Sequence, residues 1–102
     1  MIEIDIADHF LTRLSGLLFK DPKTYRRGLF FMRCNSIHTL GMRFPIDLVF
    51  LDKNLQVIDK RTAIPPFLPY VGNFRAHSIL EVFTGILDSS LLSVGDQLEI
   101  HG

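Results

Sequence analysis

The chain lacks tryptophan and carries one cysteine, five prolines and seven glycines in 102 residues. Each scarcity removes a class of protein. A single thiol, Cys34, forms no intramolecular disulfide, so a core rather than a covalent frame must hold the fold. With so little glycine and proline, a collagenous or low-complexity chain is excluded. An excess of one charge is missing too: eleven Lys and Arg balance eleven Asp and Glu. No long-range field therefore draws the protein to a nucleic-acid backbone or an anionic membrane, and neither is an expected partner. Apolar runs stay far short of the ~20 residues a membrane helix needs; Leu48-Val49-Phe50-Leu51 is fenced by Asp47 and Asp52. The segment Met1-Ile2-Glu3-Ile4-Asp5 is acidic where a secretory signal would be basic, which makes the cytoplasm the expected compartment.

What is present is apolar and branched. Hydrophobic residues make up 47 % of the chain, and ten Ile, five Val and nine Phe stand against three Ala. Such side chains fill a pleated, half-buried surface better than a helix, so one strand-dominated domain is expected over residues 1–102. Ile2, Ile4 and Ile6 alternate with Glu3 and Asp5, the period of a strand with one wet face. Asp8 stands where an N-cap would, and Phe10, Leu11, Leu14, Leu17 and Leu18 recur at helical intervals, which predicts a helix over 9–19 closed by Asp21-Pro22. Further strands are expected over 28–34, 45–51, 55–62, 76–83 and 97–101. Asp52-Lys53-Asn54 joins the 45–51 and 55–62 segments as a hairpin. A short helical turn is expected over 87–92. Residues 63–75, with three prolines, read as a loop of apolar content.

Chemistry is expected where charge interrupts apolar strands, because an unpaired buried charge costs several kcal/mol. Glu81 shares a strand face with Ile79 and Phe83, and Asp47 lies inside Ile46-Asp47-Leu48-Val49-Phe50. Arg33 interrupts Phe30-Phe31-Met32-Arg33-Cys34, and Arg43 lies just upstream of Asp47. Two readings stand side by side: solvent-facing or structurally paired charges, or a shared polar cluster in a cleft. The segment 34–43 is the densest in capable groups. Cys34 ends an apolar strand and reads as a packed thiol rather than a nucleophile served by His38. Cys34, His38 and Met42 recur every four residues as soft-metal ligands would, but His9, His77 and His101 stand singly and complete no site, so no metal is expected. His38 reads as a neutral hydrogen-bonding residue that orients a ligand or a loop. Phosphate-cradling glycine motifs and the serine-hydrolase elbow are absent, and no cofactor is expected.

Three pieces of the chain resemble the domain-of-unknown-function 192 family: Arg13-Leu14-Ser15-Gly16-Leu17-Leu18-Phe19, the run from Ile37 through Met42-Arg43-Phe44-Pro45-Ile46-Asp47 to Asp52, and Leu80-Glu81-Val82-Phe83-Thr84-Gly85 followed by Gly95-Asp96. The resemblance spans nearly the whole chain. It implies a small α+β domain on an antiparallel, barrel-like sheet and carries no established activity. Met42, Asp47, Glu81, Gly85, Gly95 and Asp96 coincide with the family's motif. Relatives commonly read Trp-Met-Lys-Asn-Thr in place of residues 41–45 and lack a cysteine at position 34, which counts against cysteine chemistry as a family mechanism. In the same motif, Arg13 is placed to reach an acid such as Asp47 or Glu81.

The combined expectation is an α+β fold: a small antiparallel barrel-like sheet with one N-terminal helix and a short C-terminal helical turn. Its functional counterpart is a cleft near His38, Asp47 and Glu81, with Met42, Arg43 and Arg13 as further binding residues, that takes a small polar ligand or a peptide end. The alternatives are a hydrolase or lyase using carboxylate and histidine as acid and base, and a protein-interaction module using loop 63–75.

Overall fold

The computed structural model of the protein describes residues 2–8 and 15–100. Seven strands follow in chain order: β1 Ile4–Ile6, β2 Gly28–Met32, β3 Ser36–Ile37, β4 Ile46–Leu51, β5 Val57–Ile64, β6 Val71–Gly72 and β7 Ser78–Phe83. Five of them form one sheet in the order β1-β2-β7-β4-β5, and β3 pairs with β6 separately. β4 and β7 are inner strands. Every residue of both is buried, because each is covered on both faces.

The period-two alternation sorts these side chains into two apolar layers. On one face, cross-strand partners build the rows Phe31–Ile79–Phe50 and Leu29–Glu81–Leu48. That face carries the larger cluster, into which Leu17, Met42, Ile64 and Val71 also pack. On the other face Phe30, Leu80 and Val49 line up and are covered by Val57, Leu87, Leu92 and Leu98. Glu81 is therefore the one ionisable member of a row whose neighbours on both adjoining strands are leucines.

The β4–β5 hairpin forms at the expected place. Asp52 accepts from Leu55 N–H, and its own N–H donates to Gln56 O. β5 has eight residues against six in β4, and the surplus is absorbed by register shifts between Ile46 and Leu48 and between Phe50 and Leu51. At the first shift, Ala63 takes a φ of 51° and its N–H donates to Asp47 Oδ1 at 2.8 Å. The side chain of Asp47 thus replaces the ladder carbonyl that the bulge removes.

The expected architecture is corrected here. The sheet is open, with β1 and β5 as its edges, and it is mixed, since β1 runs parallel to β2. Among the described residues there is no α-helical segment. Residues 9–14 of the expected helix lie outside the described residues. Its second half is a set of turns: Gly16 has a φ of 53°, incompatible with a continuing helix, and Leu17 O accepts from Lys20 N–H. Leu17 enters the core while Phe19 is 84 % exposed, so the leucine stripe does not continue as one helical face. The turn expected over 87–92 is a 3-10 turn at Ser89–Leu91. The last expected strand is reduced to a bridge between Gln56 and Gln97, and residue 101 lies outside the described residues. Strands β3 and β6 fall in segments whose sequence carries no alternating pattern.

Candidate ligand-binding cavity

A cavity of about 250 Å³ opens on the larger apolar face. Its floor is made by Phe31 of β2 and Glu81 of β7, and Ser15 and Gly16 border the carboxyl. The opposite wall comes from the chain that leaves β2: Cys34, Ile37, His38 and Met42, with Pro69 and Tyr70 at the rim.

Glu81 is 4 % exposed, and one donor among the described residues reaches it, the Leu17 N–H on Oε1 at 3.3 Å. Burial holds the proton on this carboxyl and pushes it up to about 7, opposed in part by the Leu17 hydrogen bond. Gly16 is required beside it. A Cβ at that position would stand 2.9 Å from Glu81 Oε1, and the φ of 53° disfavours any other residue.

The mouth is held by Thr39, which is buried. Its N–H donates to Leu68 O and its carbonyl accepts from Phe67 N–H, both at 2.8 Å. Its hydroxyl donates to Pro65 O at 2.9 Å and accepts from Leu68 N–H at 2.8 Å. These bonds fasten the segment bearing His38 and Met42 to the proline-rich loop bearing Tyr70. His38 Nδ1 accepts from Leu40 N–H at 3.2 Å, which in the neutral ring leaves the proton on Nε2. The Cys34 thiol donates to Ser36 O at 3.1 Å.

The structure brings three of the sequence-selected residues together, Glu81, His38 and Met42, and separates the others. Asp47 lies at the β4–β5 bulge outside the cavity, with Oδ1 accepting from Ala63 N–H and from Thr84 Oγ1 at 2.7 Å. It is a structural latch. Arg43 is exposed, with its guanidinium 5.4 Å from the centre of the Phe44 ring. Arg13 lies outside the described residues. Cys34, Tyr70 and Gly16 line the cavity without having been selected as binding residues. The signal for Gly16 was its place beside Arg13 in the helical motif, and Tyr70 belongs to the apolar loop 63–75 that was read as a partner surface. Among the described residues no group of three His, Cys, Asp or Glu side chains is arranged to hold a metal ion.

The described residues form a small β-rich domain built on an open mixed sheet. The chain belongs to the DUF192 family, described as "Uncharacterized ACR", which it matches over residues 1–100. It is 39 % identical to a UPF0127 protein of Pyrococcus furiosus over 96 % of this chain and 86 % of that one. A UPF0127 protein of Pyrococcus horikoshii is 38 % identical over 95 % of this chain and 86 % of its own. The fold is shared with a protein of unknown function from Novosphingobium aromaticivorans, at a TM-score of 0.79 and 18 % identity, over 94 % of this chain and 73 % of that one. Among the described residues no helix is long and apolar enough to cross a membrane.

Proposed function

We propose that this protein binds a small polar ligand in the cavity floored by Glu81 and walled by His38 and Met42. One observation carries the reading: the Glu81 carboxyl is buried, faces a cavity of about 250 Å³, and has one hydrogen bond among the described residues. Burying a carboxyl with so little compensation costs several kcal/mol, and a ligand donor placed against it recovers part of that cost. The size of the cavity supports a compact molecule. It exceeds the ~150 Å³ of an engineered cavity that admits benzene. Asp47 takes no part, since its carboxylate is committed to the bulge.

The test is a thermal-shift screen of a few hundred small polar compounds against wild type and Glu81→Gln, with circular dichroism to establish that the variant is folded. Compounds that raise the Tm of wild type and lose that effect in a folded Glu81→Gln support the reading. A screen in which no compound distinguishes the two proteins refutes it.

A second reading, acid-base catalysis, draws on the same carboxyl. A group that exchanges its proton near pH 7 is matched to general acid or base work. Turnover of a screening hit that disappears in Glu81→Gln would select catalysis over binding alone.

A further inference from the structure

We propose that the ligand is a small organic monocation, an alkyl- or arylalkylamine, whose ammonium docks on the Glu81 carboxylate while its carbon body lies among Phe31, Ile37 and Met42. This rests on the reading of the cavity as a ligand site and adds the ligand's charge and shape.

The sign of charge comes from the wall. Among the described residues lining the cavity there is one carboxylate and neither Lys nor Arg. An anionic ligand gains no opposite charge there, and a neutral ligand makes a hydrogen bond to the protonated carboxyl but no ion pair. An ammonium supplies both the donor and the opposite charge, and bonds of this kind are roughly twice as strong as neutral ones. The number of charges comes from the floor. Glu81 projects from a row in which Leu29 and Leu48 flank it on the adjoining strands, so the site offers a single point of attachment to a ligand with a single head. The body of the ligand is set by the apolar wall, to which Phe31 and Tyr70 contribute aromatic side chains.

The proposal makes binding a proton exchange. In the empty cavity Glu81 keeps its proton until pH reaches about 7, because burial penalises the charged form. When the ammonium enters, the carboxyl ionises, the new ion pair stays in the cavity and the Glu81 proton leaves to solvent. Affinity for the amine therefore rises with pH and levels off once the empty site is already ionised. Other titratable groups facing Glu81 are Cys34, His38 and Tyr70 around the cavity and Tyr25, whose phenol feels the Glu81 charge. Of these, His38 in its charged form also opposes a cation.

The experiment uses the whole chain and three matched probes, benzylamine, benzyl alcohol and benzoate, by isothermal titration calorimetry near pH 6 in two buffers of different ionisation heat. Benzylamine should bind roughly ten- to a hundredfold more tightly than the alcohol or the acid, releasing about one proton per molecule bound. Glu81→Gln should abolish the preference for the amine and the proton release. The proton count on wild type, which should fall toward zero when the titration is repeated at about pH 8.5 where the empty site is already ionised, keeps the inference testable if Glu81→Gln does not fold. Benzyl alcohol or benzoate binding as tightly as benzylamine overturns the amine assignment while leaving the cavity a ligand site. Amine binding without proton release, or release that persists in a folded Glu81→Gln, overturns it as well. If none of the three binds, the amine inference falls, and the broader screen above separately decides the ligand-site reading.

Discussion

Glu81 makes the stability of this protein fall as pH rises through neutrality, opposite to the usual behaviour of a carboxylate that gains a partner on folding. In the folded protein burial raises its ionisation from 4.5 to about 7. The unfolded chain releases this proton at the ordinary value. Between the two, the folded state binds more protons than the unfolded state, so the slope of unfolding free energy against pH is negative. The contribution is fully present below pH 4.5 and is lost above about 7. Its size is about 3 kcal/mol, at 1.36 kcal/mol for each tenfold change in the ionisation constant. Solvent screening discounts this little, since the side chain is 4 % exposed. Against a total stability of roughly 5–15 kcal/mol the effect is large. Glu81→Gln isolates it, because the amide keeps an acceptor for Leu17 N–H while all other titrating groups are common to both proteins. Urea unfolding from about pH 4 to about pH 8 should show wild type losing about 3 kcal/mol relative to the variant, most steeply between about pH 5 and pH 7. Two parallel stability curves would refute the argument that this carboxyl is both buried and uncompensated.

Asp47 predicts a different outcome from a buried ion pair. Asp47→Ala strands Ala63 N–H at the bulge and should cost about 2 kcal/mol in urea unfolding, with Asp47→Asn recovering most of it; a loss near 4 kcal/mol would instead indicate a stranded charge. Thr39→Val keeps the volume but leaves Pro65 O and Leu68 N–H without their hydroxyl partner, and should cost about 2–3 kcal/mol and speed proteolysis within residues 63–70. Unchanged stability would show that the two segments hold together without it. Among the described residues Ser78 Oγ is buried and meets no hydrogen-bond partner, so Ser78→Ala should be neutral or stabilise by up to about 1 kcal/mol, read as an equal or higher urea midpoint.

The sheet was legible where the sequence alternates or runs apolar between turn residues. Strands β1, β2, β4 and β7 fall within segments marked by branched and aromatic side chains, and β5 begins in one and runs two residues past it into the expected loop 63–75. The helix reading fails from Gly16 onward because Leu17 and Leu18 satisfy a helical spacing while Gly16 turns the chain. Spacing alone does not distinguish a stripe from leucines delivered to the core by successive turns. Closure into a barrel is a property of strand pairing, and no local pattern reports that β1 and β5 stay apart. Glu81 and Asp47 carried the same signal, an acid within an apolar strand, and met opposite fates. One residue of register separates them: Glu81 shares its face with the larger apolar cluster and the cavity, whereas Asp47 points to the irregular pairing with β5. That difference lies in long-range pairing and in the bulge, so it was invisible before the strands were placed.

The same two acids act on the chain before it folds. Strands β4 and β7, Ile-Asp-Leu-Val-Phe-Leu and Ser-Ile-Leu-Glu-Val-Phe, would otherwise be uncharged segments rich in branched and aromatic residues, the kind that seeds intermolecular sheets. β7 pairs with β2 through Met32 and Ser78, 46 positions apart, and pairings of such long range form slowly. On the nascent polypeptide at neutral pH both carboxylates are ionised and hydrated, and they act as gatekeepers against aggregation. Replacing Asp47 with Leu should accordingly raise turbidity on refolding by dilution from urea at concentrations where the native sequence stays clear.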